Sequence, residues 1–205
     1  VAAGRYENDD QYNVLCPDCG SVTLVDDWQS EGVCNDCGHG FIPKEGNVSG
    51  SKYNCPDCGQ KYGITDAIQE QGGYNTRLYS VEYYCEHCDN DGEKKSSYKG
   101  YKKAEAYDIE LFEKAEKEWD EREDLREFIP DERIPEGAIT AASSISGNDV
   151  FQHGLEDWTD MFNDRQLLCL SKILSSISNI EDLNTKEYLL MAFSETLNYS
   201  NQMII

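Results

Sequence analysis

The chain has 205 residues and carries 40 Asp+Glu against 18 Lys+Arg, a formal net charge of −22. That balance excludes a protein that grips nucleic acid through bulk phosphate neutralisation. Apolar runs of only a few residues exclude a membrane-spanning helix. The acidic excess is spread along the whole chain with no block of five like charges, which is the character of a halophile's surface rather than of an acidic tail.

Residues 1–11 read as a polar lead-in. Residues 12–48 then contain the first two of four Cys-x-x-Cys pairs, Cys16/Cys19 and Cys34/Cys37, with short strands expected at Tyr12–Leu15 and Ser21–Val25. Residues 51–101 hold the other two, Cys55/Cys58 and Cys85/Cys88. The first three pairs are each followed by glycine (Gly20, Gly38, Gly59). A two-residue gap lets a tight turn aim both sulfurs at one ion, and the glycine supplies the positive φ that frees backbone N–H groups for them. Eight thiolates fill two tetrahedral four-cysteine sites with no open position, so two structural zinc ions are expected, not a catalytic metal.

Other uses of the cysteines fit less well. The pairs are too close to bridge internally without strain, and no secretory leader is evident, so a disulfide framework is not expected. A redox Cys-x-x-Cys occurs once beside a βαβ pattern, and the glycine-bearing turns favour zinc over an iron–sulfur cluster. These readings place the chain in a reducing cytoplasm. Chain order gives one site from Cys16, Cys19, Cys34 and Cys37 across a 14-residue insert and another from Cys55, Cys58, Cys85 and Cys88 across 26 residues. An interleaved cross-brace would exchange the partners, and spacing alone leaves both open. His39 and His87 lie beside the knuckles as surface or supporting residues.

The expected fold class is α+β: two small zinc ribbons of short antiparallel strands, then a long helix and a C-terminal helical hairpin. The best strand of the second ribbon is Arg77–Tyr84, with Tyr79, Val81 and Tyr83 on one face. After it come Lys94, Lys95, Lys99, Lys102 and Lys103, interleaved with Tyr98 and Tyr101. Such a set could hold a phosphate backbone or unstacked bases. A solvated strand and first helical turn is the plainer reading and is preferred. Over 103–128 the period turns helical, with Ile109, Phe112, Ala115 and Trp119 as a narrow apolar stripe. Pro130 and Pro135 mark an extended linker over 129–152, with a loop at Ser143–Asn148. In the hairpin of 153–205, Asn163 with Gln166 forms a capping box before Leu167, Leu170, Ile173, Leu174 and Ile177. A second start at Asn184 with Glu187 leads to Leu189, Ala192, Phe193, Thr196 and Leu197. Cys169 is expected as a buried packing thiol.

Residues 153–177, HGLEDWTDMFNDRQLLCLSKILSSI, with MAFSETLNYSNQM at 191–203, resemble the zinc-ribbon-containing, adenine-specific DNA methyltransferases found widely in archaea. Trp158, Asp160, Met161, Phe162, Arg165, Gln166, Leu167, Leu168, Leu170 and Ser171 carry the match, and LYSVEYYCEHC with YKGYKKAEAYD is also similar to that family's ribbon. The family's proline is Asp164 here, which serves a helix start equally well through the macrodipole. The D-P-F-x-G-x-G and D-P-P-Y motifs, with which such enzymes bind S-adenosylmethionine and orient the target amine, are absent. The resemblance therefore implies a non-catalytic module, with S-adenosylmethionine bound only in the complete enzyme. Beginning at Val1 and ending at Met-Ile-Ile, the chain reads as an internal piece or a split-gene product. Its implied partners are a flanking or split methyltransferase domain and, through it, DNA. Arg77, the segment Lys94–Lys103, Arg165 and Gln166 are the candidate contacts. The rival expectation is a free-standing zinc-ribbon adaptor that binds protein in transcription or translation machinery.

Overall fold

A computed structural model describes residues 4–5, 11–72, 77–84, 99–137 and 150–201. The architecture is α+β, small antiparallel sheets followed by helices that end in a hairpin. The chain divides into two compact units, Val1–Ala67 with Asn75–Ile109, and Ile68–Tyr74 with Glu110–Ile205. Among the described residues no helix is long and apolar enough to cross a membrane.

The first unit is built from strands of two to five residues. β1 (Gly4–Arg5), β2 (Tyr12–Leu15) and β3 (Val22–Val25) form one sheet, and β4 (Gly32–Val33) pairs with β5 (Gly40–Phe41). β6 (Val48–Ser49), β7 (Lys52–Asn54) and β8 (Lys61–Gly63) form a third sheet, and β9 (Ser80–Tyr84) pairs with β10 (Lys99–Lys103). The β2–β3 register sets Val14 opposite Thr23, and these two side chains with Val25 and Asn13 are nearly all the sheet buries. A core so small supplies little hydrophobic stabilisation.

Two local features depart from expectation. The strand foreseen over Arg77–Tyr84 is regular only from Ser80, where β10 begins to offer ladder partners. Between the third and fourth cysteine pairs a helix, α1 (Ile64–Gln71), replaces ribbon strand. Ala67, Gln69, Glu70 and Gln71 favour helix, and Gly72, at φ 83°, ends it. A boundary between residues 48 and 51 also runs through a hairpin, since β6 pairs with β7.

α2 (Ala106–Glu121), which belongs to the second unit from Glu110 onward, begins where β10 has ended, one turn later than the periodicity suggests. The Asp108 carboxylate accepts the Glu105 backbone N–H at 3.0 Å and fixes that start. The helix stops before Arg122, and Glu123–Phe128 continues as a 3-10 segment. Of the expected stripe, Trp119 is 2% exposed, Phe112 and Ala115 are half-buried, and Ile109 is exposed. Trp119 packs in a core with Leu125, Leu167 and Leu168, flanked by Ala115, Phe128, Ile129 and Phe162. The Arg126 guanidinium lies 3.9 Å from the Trp119 ring centroid and donates to the Trp119 carbonyl. Of the linker, the described residues 129–137 contribute Ile134 to the interior, where its N–H donates to the Glu156 carbonyl at 2.8 Å, and Val150–His153 forms a 3-10 turn. The loop at Ser143–Asn148 lies outside the described residues.

α3 (Asp164–Ser178) starts on the capping box read from the sequence: Gln166 N–H donates to Asn163 Oδ1, and Asn163 N–H to Gln166 Oε1, both at 2.9 Å. Its buried face is centred on Leu167 and Ser171, so Leu168 is inside and Ile173 is exposed. Cys169 is exposed, contrary to expectation, because two residues carry it about 200° around the helix from Leu167. α4 (Leu183–Tyr199) starts two residues before the expected Asn184, with the Asp182 carboxylate accepting the Thr185 N–H at 2.8 Å. It buries no residue fully; Phe193 and Leu197 are half-buried, and Leu189, Ala192 and Thr196 are exposed.

Charges between α2 and α3 give this unit a pH signature. Burial, then Asp120, raises the Asp164 carboxyl. Burial, then Asp164, Glu113 and Asp120, raises Glu116. A carboxyl raised on folding binds protons more readily in the folded state, so stability increases as pH falls through its folded value. Asp124, beside Arg122, and Glu118, beside Lys172, are lowered, and their contribution is lost only at still lower pH. The unit's melting temperature should therefore rise on mild acidification, just above the ordinary carboxylate range, and fall below it. Asp164→Asn should remove most of the rise in a pH series of thermal melts.

Candidate metal centre

Three knuckles share one backbone pattern. In the first, Cys16 N–H donates to the Ser21 carbonyl and Gly20 N–H to the Cys16 carbonyl, both at 2.9 Å. Cys34 repeats it with His39 and Gly38 at 2.9 and 3.0 Å, and Cys55 with Gln60 and Gly59 at 2.9 Å. Gly20, Gly38 and Gly59 sit at φ 71°, 75° and 71°. A Cβ on Gly38 would meet nothing within 4 Å, so conformation alone demands glycine there. Gly38→Ala should cost about 1–2 kcal/mol, the penalty of the left-handed region for an L side chain. A metal-buffered denaturation series would measure it, and a neutral result would separate the turn from metal binding.

Two of the knuckles converge. Cys16 Sγ lies 3.7 Å from Cys37 Sγ and Cys19 Sγ 3.6 Å from Cys34 Sγ, and all four sulfurs fall within 4.8 Å of one another. A tetrahedral ion with sulfur at about 2.3 Å requires edges of about 3.8 Å, so this donor set fits one. The partners follow chain order, as the sequential pairing had them, and not the cross-brace. Cys16 and Cys34 are each 2% exposed, whereas Cys19 and Cys37 face solvent. Thr23 Oγ1, fully buried, accepts the Asn35 N–H at 2.8 Å and ties β3 to the second knuckle.

The electrostatics suit thiolate ligands. The Cys37 N–H, then that of Asp36, brings Cys34 down to about 6 against the opposing effect of burial. The Ser21 hydroxyl, then its N–H, lowers Cys19. The His39 N–H favours the Cys37 thiolate, but burial and the sulfurs of Cys19, Cys34 and Cys16 outweigh it and push Cys37 up to about 12. Four adjacent thiols cannot all ionise alone; a divalent cation removes that conflict and releases protons. All four donors are sulfur and no ligand position is left for water, so the centre holds structure and offers no Lewis-acid site.

The third knuckle repeats the turn of the first two and brings Cys55 and Cys58 together. The N–H groups of Cys58 and then Asp57 lower Cys55. β9 ends at Tyr84, adjacent in sequence to Cys85, but Cys85, His87 and Cys88 lie outside the described residues. Among the described residues no other group of three or more Cys, His, Asp or Glu is gathered for a metal. His39 stacks on Phe41, ring centroids 6.2 Å apart, and takes no place in the cluster.

The candidate nucleic-acid contacts are scattered in role. Arg77 donates to the Gly20 carbonyl and so braces the first knuckle. Lys102 is paired with Asp108 at 2.9 Å and Glu105 at 3.2 Å, and Lys103 lies opposite Ser80. Lys99 and Tyr101 contribute backbone to β10, opposite Tyr84 and Glu82. Lys94, Lys95 and Tyr98 lie outside the described residues. Arg165 is exposed in the first turn of α3, and the Gln166 carboxamide oxygen is occupied by the cap. Supporting residues that sequence reading missed are Ser21 and Thr23, signalled only by small hydroxyls close behind a knuckle glycine. No family model, curated protein or solved structure matches the chain.

Proposed function

We propose that this chain is a non-catalytic, zinc-stabilised module of an adenine-specific DNA methyltransferase of restriction or phage-defence type. It serves to engage DNA or to hold the catalytic domain together. The observation that carries the metal part is the closed cluster of Cys16, Cys19, Cys34 and Cys37. A second zinc ion belongs to Cys55 and Cys58 with Cys85 and Cys88. S-adenosylmethionine belongs to the complete enzyme only. The methyltransferase part rests on the sequence resemblance, and the roles of the matched residues suit an assembly function. Leu167, Leu168, Leu170 and Ser171 are buried, Asp160 and Gln166 accept backbone N–H groups at helix starts, and Phe162 flanks the core. A charge of −22 supports a high-salt cytoplasm, where DNA contact depends on short-range chemistry.

The test mixes the zinc-loaded chain, in molar potassium chloride, with duplex DNA and with polypeptides carrying the D-P-F-x-G-x-G and D-P-P-Y motifs. Binding to either supports the reading, and binding to neither removes it. The second reading, a protein-binding adaptor, is favoured by the outer face of α4, where Leu183, Tyr188, Met191 and Tyr199 are each at least 70% exposed.

A further inference from the structure

We propose that the pocket between α3 and α4 binds an uncharged aromatic small molecule that carries one hydrogen-bonding group. This site goes beyond the methyltransferase reading and does not rest on it. The pocket follows from how the hairpin packs. Leu167, Leu170, Ser171 and Leu174 recur at spacings of three and four along one face of α3. Phe193 and Leu197 answer them from α4 but stay half-buried, so the two helices meet without closing on each other. The 3-10 segment ending at Phe128 and the 3-10 turn carrying Trp158 and Met161 wall the remaining sides. The space measures about 450 Å³ and is partly open to solvent.

The lining selects the chemistry of the ligand. In a chain that is 28% Asp, Glu, Lys and Arg, none of the described residues around this pocket is charged. A charged ligand would lose water there and meet no counter-ion, which is strongly unfavourable. Four of the walls' side chains are aromatic, Phe128, Trp158, Phe162 and Phe193, and such rings pack well against the face or edge of another ring. An apolar cavity of about 150 Å³ holds one benzene, so about three times that space takes two or three rings. The polar group has its own partner. Ser171 is 1% exposed, and no described group hydrogen-bonds its hydroxyl. An unsatisfied buried hydroxyl is destabilising. A ligand hydroxyl or carbonyl at that wall relieves it, the serine turning about χ1 to donate or accept. An apolar pocket of this size with a sparse polar lining is the usual form of a small-molecule site.

The experiment is equilibrium dialysis of the zinc-loaded full chain against 2-naphthol, 2-methylnaphthalene and 2-naphthoate, probes of similar size that differ in their polar group. In about 1 M potassium chloride the Debye length is about 3 Å, so the chain's charge of −22 cannot by itself turn the anion away. 2-Naphthol should bind once per chain, 2-methylnaphthalene about fivefold more weakly, and 2-naphthoate more than about tenfold more weakly. Ser171→Ala should bring 2-naphthol and 2-methylnaphthalene to within about twofold of each other. Ser194 is exposed at the rim, so Ser194→Trp should close the mouth and abolish binding without entering the core. The probe series on the parent chain decides the ligand class whether or not either variant folds. Failure of 2-naphthol to bind, or 2-naphthoate binding as tightly, overturns the proposal. Binding that survives Ser194→Trp overturns the location, and a preference for 2-naphthol that survives Ser171→Ala overturns the part given to the hydroxyl.

Discussion

Stripping the metal from the intact chain is expected to unfold the cysteine-bearing unit and leave the helical unit folded. The first unit buries little beyond Val14, Thr23, Val25 and Asn13 around its cluster, and its strands run to five residues at most. Structural zinc in small peptides contributes about 10–16 kcal/mol of apparent binding free energy, comparable to the whole stability of an ordinary domain. No hydrophobic contribution of that size exists among the described residues of this unit to replace it. Elemental analysis should give two zinc ions per chain. After chelation, hydrogen exchange should show protection lost across β2 and β3 and kept in α3. One ion per chain would mean that Cys55 and Cys58 do not build a second site. Retained protection in β2 after complete metal loss would refute a structural role for the first.

Trp119→Ala is expected to be the most damaging single change in the helical unit. Trp119 is 2% exposed and touches residues from three segments, Leu125 in the 3-10 turn and Leu167 and Leu168 in α3 among them. Removing a buried tryptophan costs about 3–5 kcal/mol through lost transfer energy and the cavity left behind. The variant also leaves Arg126 without the ring beneath its guanidinium, about 0.5–1 kcal/mol more at a partly exposed site. Denaturant unfolding followed by helical circular dichroism would measure the loss. The metal provides an internal control, since zinc stoichiometry should be unchanged. A loss under about 1 kcal/mol, far below the usual cost of such a truncation, would show that the core is organised around another residue.

The legible parts of this chain were those fixed by local chemistry. Cys-x-x-Cys-Gly specifies its own turn, so all three described knuckles could be read from the sequence and take one geometry. Asn163 and Gln166 form a reciprocal bond within one helical turn and needed no tertiary information. What stayed hidden depended on partners distant in sequence. α1 was missed because an eight-residue helix between metal ligands has too short an apolar pattern to register. The face of α3 was misjudged by a fraction of a turn, which put Ile173 inside and Cys169 with it, because Trp119 and Leu125 choose which side is covered. The start of α4 was placed late because Asp182 and Asn184 are both competent caps, and the bond to Thr185 selects the first.

The knuckles also set the route by which the first unit assembles. Each is closed by hydrogen bonds spanning no more than six residues, so every half-site can form before it meets its partner. Bringing the first two together requires closing only the 14-residue insert between Cys19 and Cys34. Loops of about ten residues close in tens of nanoseconds, and the entropic cost grows only slowly with length. Assembly of this first centre is thus a local, low-contact-order process in which ion arrival, not chain search, sets the pace.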